Sequence, residues 1–172
     1  KVMDGLESNN VDFRPRQFDF SSDGKRLGAP WLGLHLSEIK DLDAALIIGS
    51  FLRKDHPLIA QRLRQAAKKF SKVTILSVTS DDELIDFHAR LTVQPSQLVF
   101  ALGAIVKAAS NLKGVLAPAG LESIEVCDQS QKIAQSLMEG DKRAIFLGNL
   151  TSQIEGAAQL QVLALELAKL TN

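Results

Sequence analysis

Ala44-Ala45-Leu46-Ile47-Ile48-Gly49-Ser50 is an unbroken apolar run that closes on a glycine and a small polar residue. Val73-Thr74-Ile75-Leu76-Ser77-Val78 is a second short run, rich in β-branched side chains. Runs of this length with no polar alternation suit strands buried on both faces of a parallel sheet. Between them, Asp55-His56-Pro57 supplies a helix cap with proline in the first turn. Leu58, Ile59, Leu63, Ala66, Ala67 and Phe70 then recur at helical spacing. The unit predicts strand, helix, strand, with a right-handed crossover.

Working outward toward the C-terminus, Asp81-Asp82-Glu83 reads as the start of a short helix through Phe87, and Leu91-Thr92-Val93 as a brief third strand. Pro95-Ser96 opens an amphipathic helix carrying Leu98, Val99, Leu102, Ile105 and Val106. Gly114 to Gly120 is a loop, a helix runs from about Ser130 to Glu139, and Ala144-Ile145-Phe146-Leu147 is a strand ending at Gly148-Asn149. A last helix bears Ala158, Leu160, Leu163, Leu167 and Leu170. The alternation defines an α/β class with a mostly parallel sheet flanked by helices.

Toward the N-terminus the pattern changes. Residues 1–34 are read as an extended segment, with turn formers at Asn9-Asn10, Arg14-Pro15-Arg16, Ser21-Ser22-Asp23-Gly24 and Gly28-Ala29-Pro30. Phe13, Phe18, Phe20 and Trp31 lie among them, which a disordered tail would seldom carry, so a surface is expected for them to cover. Residues 35–172 form the α/β domain, as one unit or as two lobes of about 35–115 and 116–172. The start at Lys1 and the stop just after the last helix read as an excised piece of a longer chain.

Bulk composition excludes several functions. The 172 residues carry a formal net charge of zero, which gives no electrostatic case for nucleic acid or an anionic membrane surface. No apolar run approaches the roughly 18 residues that span a bilayer. Cys127 is the single cysteine, so neither an internal disulfide nor a multi-cysteine metal site is expected; beside Val126 it reads as a buried, inert thiol. The sequence contains no GxGxxG, GxxxxGK[ST] or GxSxG motif. His35, His56 and His88 are too scattered for a metal site, and Asp86 and His88 at i, i+2 share no helix face, so they read as a solvated helix end. Catalytic residues and metal ligands are expected to be absent. Arg62, Arg64, Lys68 and Lys69 fall away from the apolar stripe, either as a solvated face or as a docking face for a partner.

In open parallel sheets ligands bind beyond the carboxyl ends of the strands. The two such places are Gly49-Ser50-Phe51 and Gly148-Asn149, with Arg53 and the helix start at His56 able to meet an anion. Phe51 and Leu52 add apolar volume there and no side-chain hydrogen bonds, so the crevice is expected to be closed.

Leu42 through Arg64, with its strand, Gly49-Ser50, loop and His56-Pro57 helix start, resembles the molybdopterin oxidoreductase family, which includes formate dehydrogenases. The form Gly49-Ser50-Phe51-Leu52-Arg53-Lys54-Asp55-His56-Pro57 is similar to the large iron–sulfur subunits of bacterial NADH:quinone oxidoreductase, respiratory complex I. So are Asn9 to Gln17 and Gly28 to Gly33, and Gly148-Asn149 is similar to a later strand end of the family. The resemblance implies a Rossmann-like domain on the cytoplasmic side of the membrane, partnered by other peripheral-arm subunits. Iron–sulfur clusters are implied in the N-terminal part of the full subunit and none here. It further implies a relic crevice of Gly49, Ser50, Phe51, Arg53, His56, Gly148 and Asn149, since related molybdenum enzymes commonly carry Asn where this chain has Phe51. Two alternatives stand beside it: a part of an active molybdenum enzyme such as a formate dehydrogenase, binding the pterin dinucleotide, and a generic α/β small-molecule-binding domain.

Overall fold

A computed structural model describes residues 2–8, 19, 21, 32–80 and 84–171. The N-terminal aromatics Phe13, Phe18, Phe20 and Trp31, the turn clusters around them and the Asp81-Asp82-Glu83 helix start lie outside the described residues. Val2–Gly5 forms a single helical turn, α1.

Four strands make one all-parallel sheet: β1 (Ala44–Ile48), β2 (Lys72–Ser77), β3 (Ala89–Thr92) and β4 (Arg143–Leu147), in the order β3-β2-β1-β4. Helices cover both faces, giving a Rossmann-like α/β architecture. On one face lies α3 (Pro57–Ala67); on the other lie α4 (Leu98–Lys113), α5 (Asp128–Glu139) and α6 (Ala157–Thr171). Side chains alternate across a strand, so β1 divides its residues between the two cores. Ala44, Leu46 and Ile48 join Leu76, Leu102, Ile105, Ile133 and Leu160. Ala45 and Ile47 join Ile39, Leu63, Val73, Ile75 and Phe146. Helix α4 is apolar nearly all round because it is enclosed by the sheet, α5 and α6.

Several sequence expectations shift. The loop expected after Ser50 holds one helical turn, α2 (Leu52–Asp55), where the Asp55 carboxylate accepts the Phe51 N–H at 3.4 Å. His56 closes α2 and opens α3 through its backbone alone, with Pro57 in the first turn and no side-chain cap. Residues 84–87 form no helix, and Leu84 has φ 54°. The third strand begins at Ala89, two residues before Leu91, and Pro95–Gln97 is a 3-10 turn that leads into α4. Helix α5 likewise begins two residues early, at Asp128.

The largest departure concerns the α3 stripe. Ala60, Leu63 and Ala66 are buried, but Leu58 is 67% exposed and Phe70 96% exposed. Phe70 lies beyond the helix end at φ 71°, with Ser71 N–H bonded to the Ala66 carbonyl at 3.2 Å. That is the left-handed closing position glycine normally takes, as Gly114 does at the end of α4. A bulky residue there costs roughly 1–2 kcal/mol.

Two stability measurements check these assignments. Leu63→Ala, at a fully buried position beneath α3, should cost about 2–5 kcal/mol in a denaturant melt, and a loss under about 1 kcal/mol would put the wrong face of α3 on the sheet. Phe70→Gly should raise stability by about 1 kcal/mol by relieving the left-handed backbone, and a destabilised variant would mean that the ring holds the fold together.

Candidate functional site

The chain runs from β1 outward through β2 to β3, then returns to the other side of β1 with β4. The loop leaving β1 therefore leads to α3 on one face, and the loop leaving β4 leads to α6 on the other. The place between them, at the carboxyl ends of β1 and β4, is the topological switch point of an open parallel sheet. Register puts Ile48 beside Leu147, so Gly49 and Gly148 leave the sheet side by side.

The two glycines are there for different reasons. Gly49 turns at φ 58°, sending the chain toward α2, while its N–H still bonds the Leu76 carbonyl at 2.9 Å. Gly148 has an ordinary extended backbone (φ −80°) but no space: a Cβ there would stand 2.5 Å from both the Gly49 carbonyl oxygen and Ser50 Cβ. The Gly148 N–H bonds the Ile48 carbonyl at 2.8 Å, and the Leu150 N–H bonds the Gly49 carbonyl at 3.2 Å. A 3-10 turn, Asn149–Ser152, then lies over Gly49, with Thr151 buried and its hydroxyl donating to the Gly148 carbonyl at 2.7 Å. The loop from β4 thus fills the gap beside the end of β1.

Of the residues singled out in the sequence, Gly49, Ser50, Gly148 and Asn149 meet at this point. Ser50 is only 6% exposed, and its hydroxyl has no hydrogen-bond partner among the described residues. Phe51 is half-buried and Leu52 is buried at the start of α2. Arg53 projects from the exposed side of that turn, and half-buried His56 gives its N–H to the Leu52 carbonyl at 2.9 Å. Asn149 is exposed, and its carbonyl accepts the Ser152 hydroxyl at 2.9 Å.

Three other groups differ from the sequence reading or are invisible to it. Cys127 is exposed, which corrects its reading as a buried thiol. It occupies the position just before α5, with Sγ 3.2 Å from Ser130 Oγ. Burial pushes the thiol up, but the Ser130 hydroxyl and the N–H groups of Ser130 and Gln129 outweigh it and leave the group below its ordinary value. Starting the helix at Ser130 hides the place of Cys127 at the helix entrance. Asp19 accepts the Ala158 N–H at 3.0 Å in the first turn of α6, and the Ser21 N–H at 3.0 Å. Ser21 and the α6 backbone hold the Asp19 carboxyl below its usual range. Nothing in the sequence signals a pairing across 139 residues. Asp86 and His88 make no bond to each other; His88 is exposed, lowered by partial burial and by Lys132 and Lys72, with Glu139 opposing.

Among the described residues no three His, Cys, Asp or Glu side chains are grouped to hold a metal ion, and no helix is long and apolar enough to cross a membrane.

Fold and switch point together define a doubly wound parallel α/β domain. No protein-family model matches the chain. Over 104 residues it is 28% identical to the alpha subunit of F420-dependent formate dehydrogenase 1 of Methanococcus maripaludis. That stretch is 59% of this chain and 15% of the relative, so the chain spans a small part of the protein it matches. This distant similarity supports the molybdopterin-oxidoreductase resemblance carried by Leu42 to Arg64 and does not single out the complex I subunit within it.

Gly148→Ala isolates the contact that fills the switch point. Its backbone angles suit alanine, so any loss comes from space alone, and the atoms in the way are the Gly49 carbonyl oxygen and the Cα and Cβ of Ser50, which cannot swing aside. A urea melt should show destabilisation toward the upper end of about 1–3 kcal/mol, whereas a change within about 0.5 kcal/mol would mean the two loops do not press together.

Proposed function

We propose that this chain is a structural domain, without a cofactor of its own, of the large iron–sulfur subunit of a bacterial NADH:quinone oxidoreductase. In this reading the clusters that carry electrons lie in the N-terminal part of the full subunit. This domain packs against other peripheral-arm subunits on the cytoplasmic side of the membrane and supports the electron path without touching it. The form Gly49-Ser50-Phe51-Leu52-Arg53-Lys54-Asp55-His56-Pro57 supports this choice within the family.

The observation that carries the reading is the seating of Gly148 on Gly49 and Ser50. A pterin dinucleotide at a switch point needs room for its phosphates and several hydrogen-bond donors. Here Thr151 and Leu150 stand within 3.5 Å of a Cβ placed on Gly49, and the next side chains along the chain are Phe51 and Leu52. This crowding supports a domain without that group.

A second reading is favoured by the formate dehydrogenase similarity and by the unpartnered hydroxyl of Ser50. In it the chain is part of an active molybdenum enzyme, and the crevice opens to take the pterin dinucleotide.

Calorimetric titration of the chain with molybdopterin guanine dinucleotide, GDP and NADH separates the two. The structural reading expects no constant tighter than about 1 mM, or about 4 kcal/mol. A micromolar constant for any of the three, lost in Arg53→Ala, would overturn it in favour of the active enzyme.

A further inference from the structure

At the opposite edge of the sheet, where β1 and β2 begin, the surface has a different character. The 3-10 turn Ile39–Asp41 leads into β1, and the C-terminal end of α3 leads into β2. Together they shape an open concavity of about 450 Å³ lined by Lys40, Arg62, Gln65, Lys68 and Lys69. Among the described residues the one carboxylate bonded to these cations is Asp41, 3.3 Å from Lys69 Nζ in a well-exposed pair. Arg62 donates to Gln65 Oε1, at 3.3 Å, and among the described residues Lys40 and Lys68 meet no carboxylate. Cations at a helix C-terminus complement the helix dipole, but that effect is confined to the last turn. It does not account for Arg62 in the middle of α3 or for Lys40 on a separate element.

Phe70 directly follows Lys69 in the chain. It is 96% exposed and is held at φ 71°, where glycine would sit without strain. The ring contributes nothing to either core. A side chain that burdens its own backbone and joins neither core, next in sequence to a cation-lined concavity that meets one carboxylate among the described residues, has the makings of an anchor for something else.

We propose that Lys40, Arg62, Lys68 and Phe70 form a docking surface for an acidic segment of a partner protein that carries an apolar side chain beside its carboxylates. Charge complementarity selects the sign of the partner, and the exposed ring selects a protein over a simple polyanion. The formal net charge of zero removes the extended positive field that a nucleic acid would need. The surface lies at the amino edge of the sheet, away from the Gly49–Gly148 crevice, so it stands whether or not that crevice holds a ligand.

Fluorescence anisotropy with the full 172-residue chain and a labelled glutamate-rich peptide bearing a central leucine tests the surface. Binding should weaken as salt is raised. It should fall by about tenfold or more in the Lys40→Glu, Lys68→Glu double variant and by a similar factor in Phe70→Gly, while Lys132→Glu on α5 leaves it unchanged. The Phe70→Gly melt, expected to be raised, separates its loss of binding from unfolding. Undiminished binding in either the charge or the glycine variant overturns the proposal. So does heparin competing as strongly against Phe70→Gly as against the unaltered chain, with the peptide indifferent to Phe70: that result reduces the surface to a general anion attractor.

Discussion

The two parallel ladders on β1 are the constraint from which the rest of the domain follows. All five residues of that strand are fully buried, and each is paired with both β2 and β4. A strand with neighbours on both edges and helices on both faces has no solvent-facing position, so its side chains must all be apolar and its backbone groups must all be met within the sheet. The parity of its side chains then assigns α3 to one face and α4, α5 and α6 to the other. The loop that leaves β1 inherits the crowding. It must turn sharply at Gly49 and let the β4 loop pass within contact distance at Gly148.

The same burial explains what can be read from the sequence. Ala44 to Ile48 and Val73 to Ser77 are legible because a central parallel strand is written as a short, uninterrupted apolar run stopped by small or polar residues. β3 is an edge strand of four residues with Arg90 in it, and its start escapes the apolar pattern because half of such a strand faces water. One turn of helix at Leu52–Asp55 has no period to detect. Phe70 matches the α3 period at the spacing where the helix stops, and only the left-handed turn at its end throws the ring outward.

At the switch point the partners are legible in the sequence, while the distance between them is not. Two strands each ending in glycine, in a parallel sheet, place Gly49 and Gly148 at the same edge by rule. Whether the space between them is open depends on the conformation of Asn149–Ser152, a 3-10 turn held by the Thr151 and Ser152 hydroxyls bonding back to carbonyls three residues earlier. Such local side-chain bonds leave little trace in composition. The Asp19 contact with α6 is a plainer case, since it joins residues far apart in the chain through one backbone N–H.

The two edges of the sheet carry opposite physical signatures, and the contrast bears on what each is for. At the carboxyl edge the glycine backbone, Thr151 and Leu52 are packed as a core is packed. A site that must admit a ligand gives up stabilising contacts until the ligand arrives, whereas this edge makes its contacts within the chain. At the amino edge stand cations that meet one carboxylate among the described residues, together with an exposed aromatic ring whose left-handed backbone costs stability. Such costs persist most readily where another surface offsets them. At one edge the contacts are made within the chain, although the buried Ser50 hydroxyl has no partner among the described residues; at the other, Asp41 is the one carboxylate among the described residues that meets the cations. That asymmetry is the physical ground for proposing the amino edge as a docking surface.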